Sequence, residues 1–144
     1  MINMNEKIKV QITTIHKTDE GEFPMSVIAD GNYKKINDTH YVNYEYKDEE
    51  SGAITKALIK AGGDRVEVIN NGDFKYKMAF AKNEVRDLDT DVGGLVLSLK
   101  QVTKEVYITE DGDDLLIEME YELYQGDELT SSCDMKINIL RRIQ

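Results

Sequence analysis

The sequence predicts an all-β fold, an antiparallel meander of about 8–10 strands closed into a barrel. Leu115, Ile117, Met119, Tyr121 and Leu123 alternate with Leu116, Glu118, Glu120, Glu122 and Tyr124, which separates an apolar face from a mostly acidic one. The same two-residue period recurs from near the N-terminus to near the C-terminus, and no long stretch shows helical spacing. Clusters of Gly, Asn and Asp divide the segments. A meander of this length hides its edges best by curling into a barrel. A two-sheet sandwich is the structural alternative.

The first strand spans about 6–16, because Ile8, Val10 and Ile12 share a face with Thr14 and His16 while Lys7, Lys9, Gln11 and Thr13 point away. The polar run 17–22 ends it. Pro24 heads the next short segment, where a missing N–H breaks no ladder. Asp30 and Gly31 predict a tight turn into a segment from Tyr33 to Ile36, and Asn37 and Asp38 reverse the chain again. A strand at 39–47 sets His40, Val42, Tyr44 and Tyr46 on one face, with Tyr41, Asn43 and Glu45 on the other, before a turn at Glu50, Ser51 and Gly52. Further strands are expected near 53–60, 64–69 and 73–80, then a less regular piece at 84–91, then strands near 95–101 and 103–109. Two well-marked strands near 114–124 and 129–141 close the chain. With no low-complexity segment, linker or repeat, residues 1–144 are expected to form one domain.

Loop length decides which faces meet, since a one-residue slip moves every partner to the other side. A two-residue turn at Asn71 and Gly72 would set Val66 and Val68 opposite Lys77 and Lys75. A three-residue loop of Asn70, Asn71 and Gly72 instead sets Val68 opposite Phe74 and Val66 opposite Tyr76, with Gly72 as a left-handed bulge residue, and is preferred. In the last hairpin an odd-length loop around Gln125, Gly126, Asp127 and Glu128 is required to put Met119 and Tyr121 on one face with Cys133, Met135, Ile137 and Ile139.

A chain of 144 residues buries about two-thirds of its unfolded surface and needs no metal or disulfide to fold. The single Cys133 has no intrachain partner, and the N-terminal residues lack a signal-peptide core. No segment approaches the ~20 apolar residues of a spanning helix, so a soluble cytoplasmic protein that engages no membrane is expected. With 28 acidic and 18 basic side chains the formal charge is −10, which repels phosphate backbones in the absence of a separate basic patch. The basic pairs Lys34/Lys35, Lys75/Lys77 and Arg141/Arg142 are short and interleaved with apolar or acidic neighbours, so no nucleic-acid partner is expected.

Gly31-x-Tyr33, Tyr41-x-x-Tyr44, Val66-x-Val68 before Gly72, Met78-x-Phe80, Thr90-x-x-Gly93-x-Leu95-x-Leu97 and Tyr121 before Gly126 with Met135-x-Ile137 together resemble the YwiB-like family. These are small bacterial proteins of uncharacterised function. The resemblance implies a calycin-like antiparallel barrel, similar in shape to lipocalins and intracellular fatty-acid-binding proteins, and it implies no established activity. Two positions depart from the pattern: Asn70 stands where an arginine is expected, and Leu88 where a tyrosine is expected. The chain has no Trp, so it lacks the Gly-x-Trp signature of true lipocalins, and their function is not inherited from barrel shape.

The chemical motifs are few. Asp87, Asp89 and Asp91 are spaced like the start of a calcium loop, but the sixth and twelfth positions of that loop hold Val92 and Ser98, so the match fails. His16 and His40 lie at strand ends with no sequence neighbour suited to zinc, and no metal or cofactor is expected. Cys133 shares parity with Met135, Ile137 and Ile139, which makes it a packing residue rather than a nucleophile. Glu118, Glu120 and Glu122 form a solvated face, Gly93 and Gly94 make a turn, and no hydrolase, nucleotide or dinucleotide fingerprint occurs, so no catalytic residue is assigned.

The remaining signal is the tyrosine and methionine content of the expected inner face: Tyr44, Tyr46, Tyr76, Met78, Met119, Tyr121 and Met135. Buried phenols need partners and methionines tolerate variable shapes, so such a lining can hold an amphipathic molecule or simply fill a core. The expectation is a non-catalytic barrel that binds a small apolar or amphipathic ligand, with Tyr44, Tyr76, Met119 and Tyr121 as site residues. The competing class is a protein-interaction or self-assembly module built on a strand edge or outer apolar patch, favoured by Leu116 and Tyr124 on an otherwise acidic face. An enzyme ranks third.

Overall fold

Alternation makes each strand a ribbon with one apolar face, and ten such ribbons are paired edge to edge among the described residues. In the computed structural model these are residues 6–73, 75–92 and 95–140, with side chains described outside 89–97. The strands are β1 Glu6–Thr18, β2 Gly21–Ile36, β3 Thr39–Lys47, β4 Ile54–Gly62, β5 Arg65–Asn71, β6 Lys75–Ala81, β7 Val85–Val92, β8 Leu95–Asp111, β9 Asp114–Gln125 and β10 Glu128–Leu140. Each pairs antiparallel with its sequence neighbour, and β1 pairs with β10 to close the barrel.

In such a meander successive turns alternate between the two rims. The connections at 19–20, 48–53 and 126–127 lie at one rim, and those at 37–38, 63–64, 82–84 and 112–113 at the other. The second rim is the packed floor: Ile8, Val10, Val42, Ile59, Val66, Phe80, Leu115, Ile117, Ile137 and Ile139 are all buried there in one cluster. Tyr33 and His40 complete it. The Tyr33 hydroxyl lies 2.7 Å from His40 Nδ1, and His40 Nε2 lies 3.1 Å from Glu110 Oε1. A carboxylate only accepts, so Nε2 carries a proton toward Glu110, and in the neutral ring Nδ1 then accepts from the Tyr33 phenol. Lys35 Nζ meets the same Glu110 oxygen at 3.1 Å.

The expected strand at 39–47 coincides with β3, and Asn37 and Asp38 turn the chain with φ of 50° and 66°. Asp30 and Gly31, by contrast, make no turn, because β2 runs unbroken through them for 16 residues. Gly31 pairs with Tyr44, and a Cβ there would collide with the Asn43 carbonyl oxygen, so this glycine marks a close approach of two strands. The piece at 84–91 is the full strand β7, and the segments expected at 95–101 and 103–109 are one strand, β8. A bulge between Thr103 and Glu105 explains the apparent break. Gln101 and Thr103 face inward before it and Val106 and Ile108 after it, so the parity reverses within a continuous strand.

Both loop assignments need revision. Val66 lies opposite Phe80 and Val68 opposite Met78, so the odd loop parity holds but the hairpin closes at Asn71 and Lys75, beyond the expected site. Phe74, the expected partner of Val68, lies outside the described residues. The Asn70 side-chain carbonyl accepts from Gly72 N at 2.9 Å and Lys56 N at 3.2 Å, while Asp73 N donates to Ile54 O at 2.8 Å. A Cβ on Gly72 would strike that Ile54 carbonyl oxygen, so the glycine lets the loop dock on β4. In the last hairpin the loop has two residues, Gly126 and Asp127, and a bulge between Leu129 and Ser131 supplies the missing half-period. Met119 then faces Met135, and Tyr121 faces Cys133.

One seam is thin. Among the described residues β6 and β7 share a single ladder pair, Lys75 with Asp91. The buried Gln101 side chain crosses the gap to donate to Ala79 O at 2.9 Å, and backbone bonds tie Asn83 and Glu84 to Thr103. Arg141 and Arg142, and the expected turn at Gly93 and Gly94, lie outside the described residues.

Candidate functional site

The inward residues near the floor interlock, whereas those near the opposite rim leave a cavity of about 440 Å³. That volume lies in the range of small-molecule sites, which runs from about 300 to 1,000 Å³. Phenols dominate the polar part of its wall: Tyr44 and Tyr46 from β3, Tyr76 from β6 and Tyr121 from β9. Met25, Met78, Met135, Leu88, Leu99 and Leu123 supply apolar surface, and Thr14, His16 and Thr55 add hydrogen-bonding groups. No lining side chain among the described residues is a carboxylate, lysine or arginine.

Three of the four expected site residues, Tyr44, Tyr76 and Tyr121, line this cavity. Met119 does not; it is buried in the core between Val106 and Met135. Burial pushes the Tyr44 phenol well above the ordinary tyrosine range, helped by the neighbouring Tyr76. Tyr76 is raised by burial and partly relieved by a hydrogen bond with Asn70, which faces it across β5 and β6. Tyr121 is raised by burial and by Cys133 beside it. Each phenol is therefore a neutral donor and acceptor at ordinary pH. Both departures from the family pattern bear on this wall, since Leu88 lines it and Asn70 holds Tyr76.

Closure of β1 on β10 sets His16 opposite Cys133, with His16 Nδ1 3.2 Å from the sulfur and Ser131 Oγ 3.6 Å from it on the other side. This pairing was hidden in the sequence because it depends on barrel closure, although His16 already shared the parity of Ile8, Val10 and Ile12. The geometry resembles an activated thiol, but the electrostatics oppose it. Burial raises the Cys133 pKa, Asp134 raises it further, and hydrogen bonds from Ser131 and Tyr121 only partly offset this. A protonated thiol is a poor nucleophile. Cys133 should therefore react slowly with a thiol reagent in the native protein and rapidly after denaturation, as followed by mass spectrometry; fast native labelling would count against the packed assignment.

The remaining candidates offer less. Leu116 and Tyr124 are only half-exposed, and the Tyr124 hydroxyl donates to Glu122 at 3.1 Å. The more exposed apolar side chains include Phe23, Met25 and Ile28 of β2, which the turn expected at Asp30 and Gly31 had obscured. Among the described residues no group of three or more His, Cys, Asp or Glu is placed to hold a metal ion. The side chains of Asp89 and Asp91 lie outside the described set.

No curated protein matches the sequence. Among solved structures the barrel is similar to the YwiB protein of Bacillus subtilis, with a TM-score of 0.84 at 18% identity over 96% of this chain and 94% of that one. At that identity the likeness establishes the fold alone, a closed antiparallel barrel. A sequence profile described as a domain of unknown function, DUF1934, matches residues 8–137, and the chain belongs to that family.

Proposed function

We propose that this barrel binds a small apolar or amphipathic molecule in the cavity at its open rim. The observation that carries the proposal is the wall of the 440 Å³ cavity, free of carboxylate, lysine and arginine among the described residues, where four phenols stand among methionines and leucines. Neutral phenols can orient a polar end while the thioethers adapt to an irregular tail. Among the described residues the one pairing beside the cavity that resembles a base and a nucleophile, His16 with Cys133, holds a thiol that burial keeps protonated, which favours binding over catalysis.

Nile red, a neutral amphiphile that fluoresces in apolar surroundings, serves as the probe. Tyr44→Phe and Tyr121→Phe should each weaken its binding by roughly 0.5–1.5 kcal/mol, the worth of one hydrogen bond, with the fold unchanged. Native mass spectrometry of freshly purified protein should show a retained small mass. Absence of both retained mass and dye uptake would remove the proposal.

A further inference from the structure

We infer that the guest of this cavity is an extended peptide segment of basic and apolar character, its backbone paired to the free edge of β2 and its alternate side chains entering the cavity. This rests on the cavity reading above and narrows its ligand class. β2 pairs with β1 along its whole length, from Gly21 opposite Thr18 to Tyr33 opposite Glu6. Its ladder with β3 begins only at Gly31 opposite Tyr44, and Glu45, Tyr46 and Lys47 pair only with β4. Residues 22–30 therefore present an unpaired edge about 30 Å long toward β3 among the described residues, and where Glu45, Tyr46 and Lys47 part from residues 28–30 it opens a slot in the barrel wall. The thin seam between β6 and β7 differs, because Gln101 spans it.

An open edge offers backbone donors and acceptors in register for one more strand. The β2 side chains direct what that strand would carry. Met25 and Val27 line the cavity, and Phe23 and Met25 remain 49% and 60% exposed at its lip. A strand laid beside them would turn every second side chain toward the same apolar space. On the outer side a depression of about 500 Å³ bordered by Asp30, Asn32, Asn43 and Glu45 lies at the foot of the slot.

Charge selects the occupant. Asp19, Glu20 and Glu22 stand on one side of the slot and Asp48, Glu49 and Glu50 on the other; of the nearby cations Lys17 is held by Asp134 at 2.7 Å, and the exposed Lys47 leaves the rim net acidic. Such a rim repels a fatty-acid carboxylate and attracts lysine or arginine flanking an apolar run. A second copy of the chain fits poorly. Two-fold antiparallel pairing centred on Ser26 would place Glu22 opposite Asp30 of the copy at both ends, with only the exposed Lys9, 3.1 Å from Asp30, to offset like charges that are destabilising across a ladder.

The test uses the full chain and a capped nine-residue peptide alternating leucine with threonine and ending in lysine, titrated by calorimetry. Two versions carry backbone N-methyl groups on alternate residues, one set in each phase, so that one version blocks the amides facing β2. The parent should bind and displace Nile red, one methylated version should bind at least tenfold more weakly, and added salt should weaken the parent several-fold. Equal binding by all three peptides would overturn edge pairing. Dye uptake without peptide binding would overturn the peptide while leaving the cavity proposal standing, and failure of both would remove both. A stable dimer disrupted by Ile28→Lys would show instead that a second copy covers the edge, and would also overturn the inference.

Discussion

Replacing Phe80 with alanine is expected to lower the unfolding free energy by about 3–5 kcal/mol, the usual cost of deleting a buried aromatic ring. Phe80 is fully buried, lies opposite Val66 on β5, and meets Tyr121 edge-on with ring centroids 5.0 Å apart. It lies one inward position from Met78, which lines the cavity, so its removal would leave an unfilled volume beside that cavity. Urea denaturation followed by tyrosine fluorescence gives the measurement: the midpoint should fall sharply at constant slope. A loss under about 1 kcal/mol would show that the floor repacks freely.

Met119 and Glu120 are sequence neighbours with opposite expected outcomes. Met119 sits at 1% exposure in an inward row with Val106 and Met135, one residue from each of three adjacent strands. Met119→Ala should cost about 2–5 kcal/mol. Glu120 occupies the matching outward row, between Glu105 and Asp134. Like charges directly opposite are unfavourable, so Glu120→Ala should stay within about ±0.5 kcal/mol, with any change toward greater stability. Equal losses at the two positions would mean that the face assignment of β9 is wrong.

The face of nearly every strand was legible because one side of each is buried and the other wet. Val66 and Val68 were placed on the inner face with Tyr76 and Met78, and Cys133 with Met135, Ile137 and Ile139, from alternation and loop parity. Register was less legible, since it depends on devices with weak sequence signatures. The bulge between Leu129 and Ser131 does the work expected of an odd loop, and that between Thr103 and Glu105 reverses parity in mid-strand. Gly31 and Gly72 were read as turn and bulge residues from local chemistry. Both are glycine because another strand's carbonyl occupies the place of a Cβ, a cause visible only in three dimensions. The same holds for the site. Tyr44, Tyr76 and Tyr121 were placed on the inner face by parity, but parity does not say which inward side chains border free volume: Met135 lines the cavity, while Met119 directly opposite it is packed in the core.

Closure of β1 on β10 also imposes an order on folding. Every other ladder joins strands adjacent in sequence, mostly across loops of a few residues, whereas the contact of His16 with Cys133 spans 117 residues. Relative to a loop of about four residues, that is roughly five doublings at about 0.6 kcal/mol each, or about 3 kcal/mol of added chain entropy. The hairpins can therefore zip before the barrel shuts, and the first and last strands meet only once a curved sheet has brought them within reach. Contacts in that final ladder belong to the native state more than to the folding barrier. Weakening them hastens opening without delaying assembly, so the residence time of the closed form is set where the two ends of the meander join.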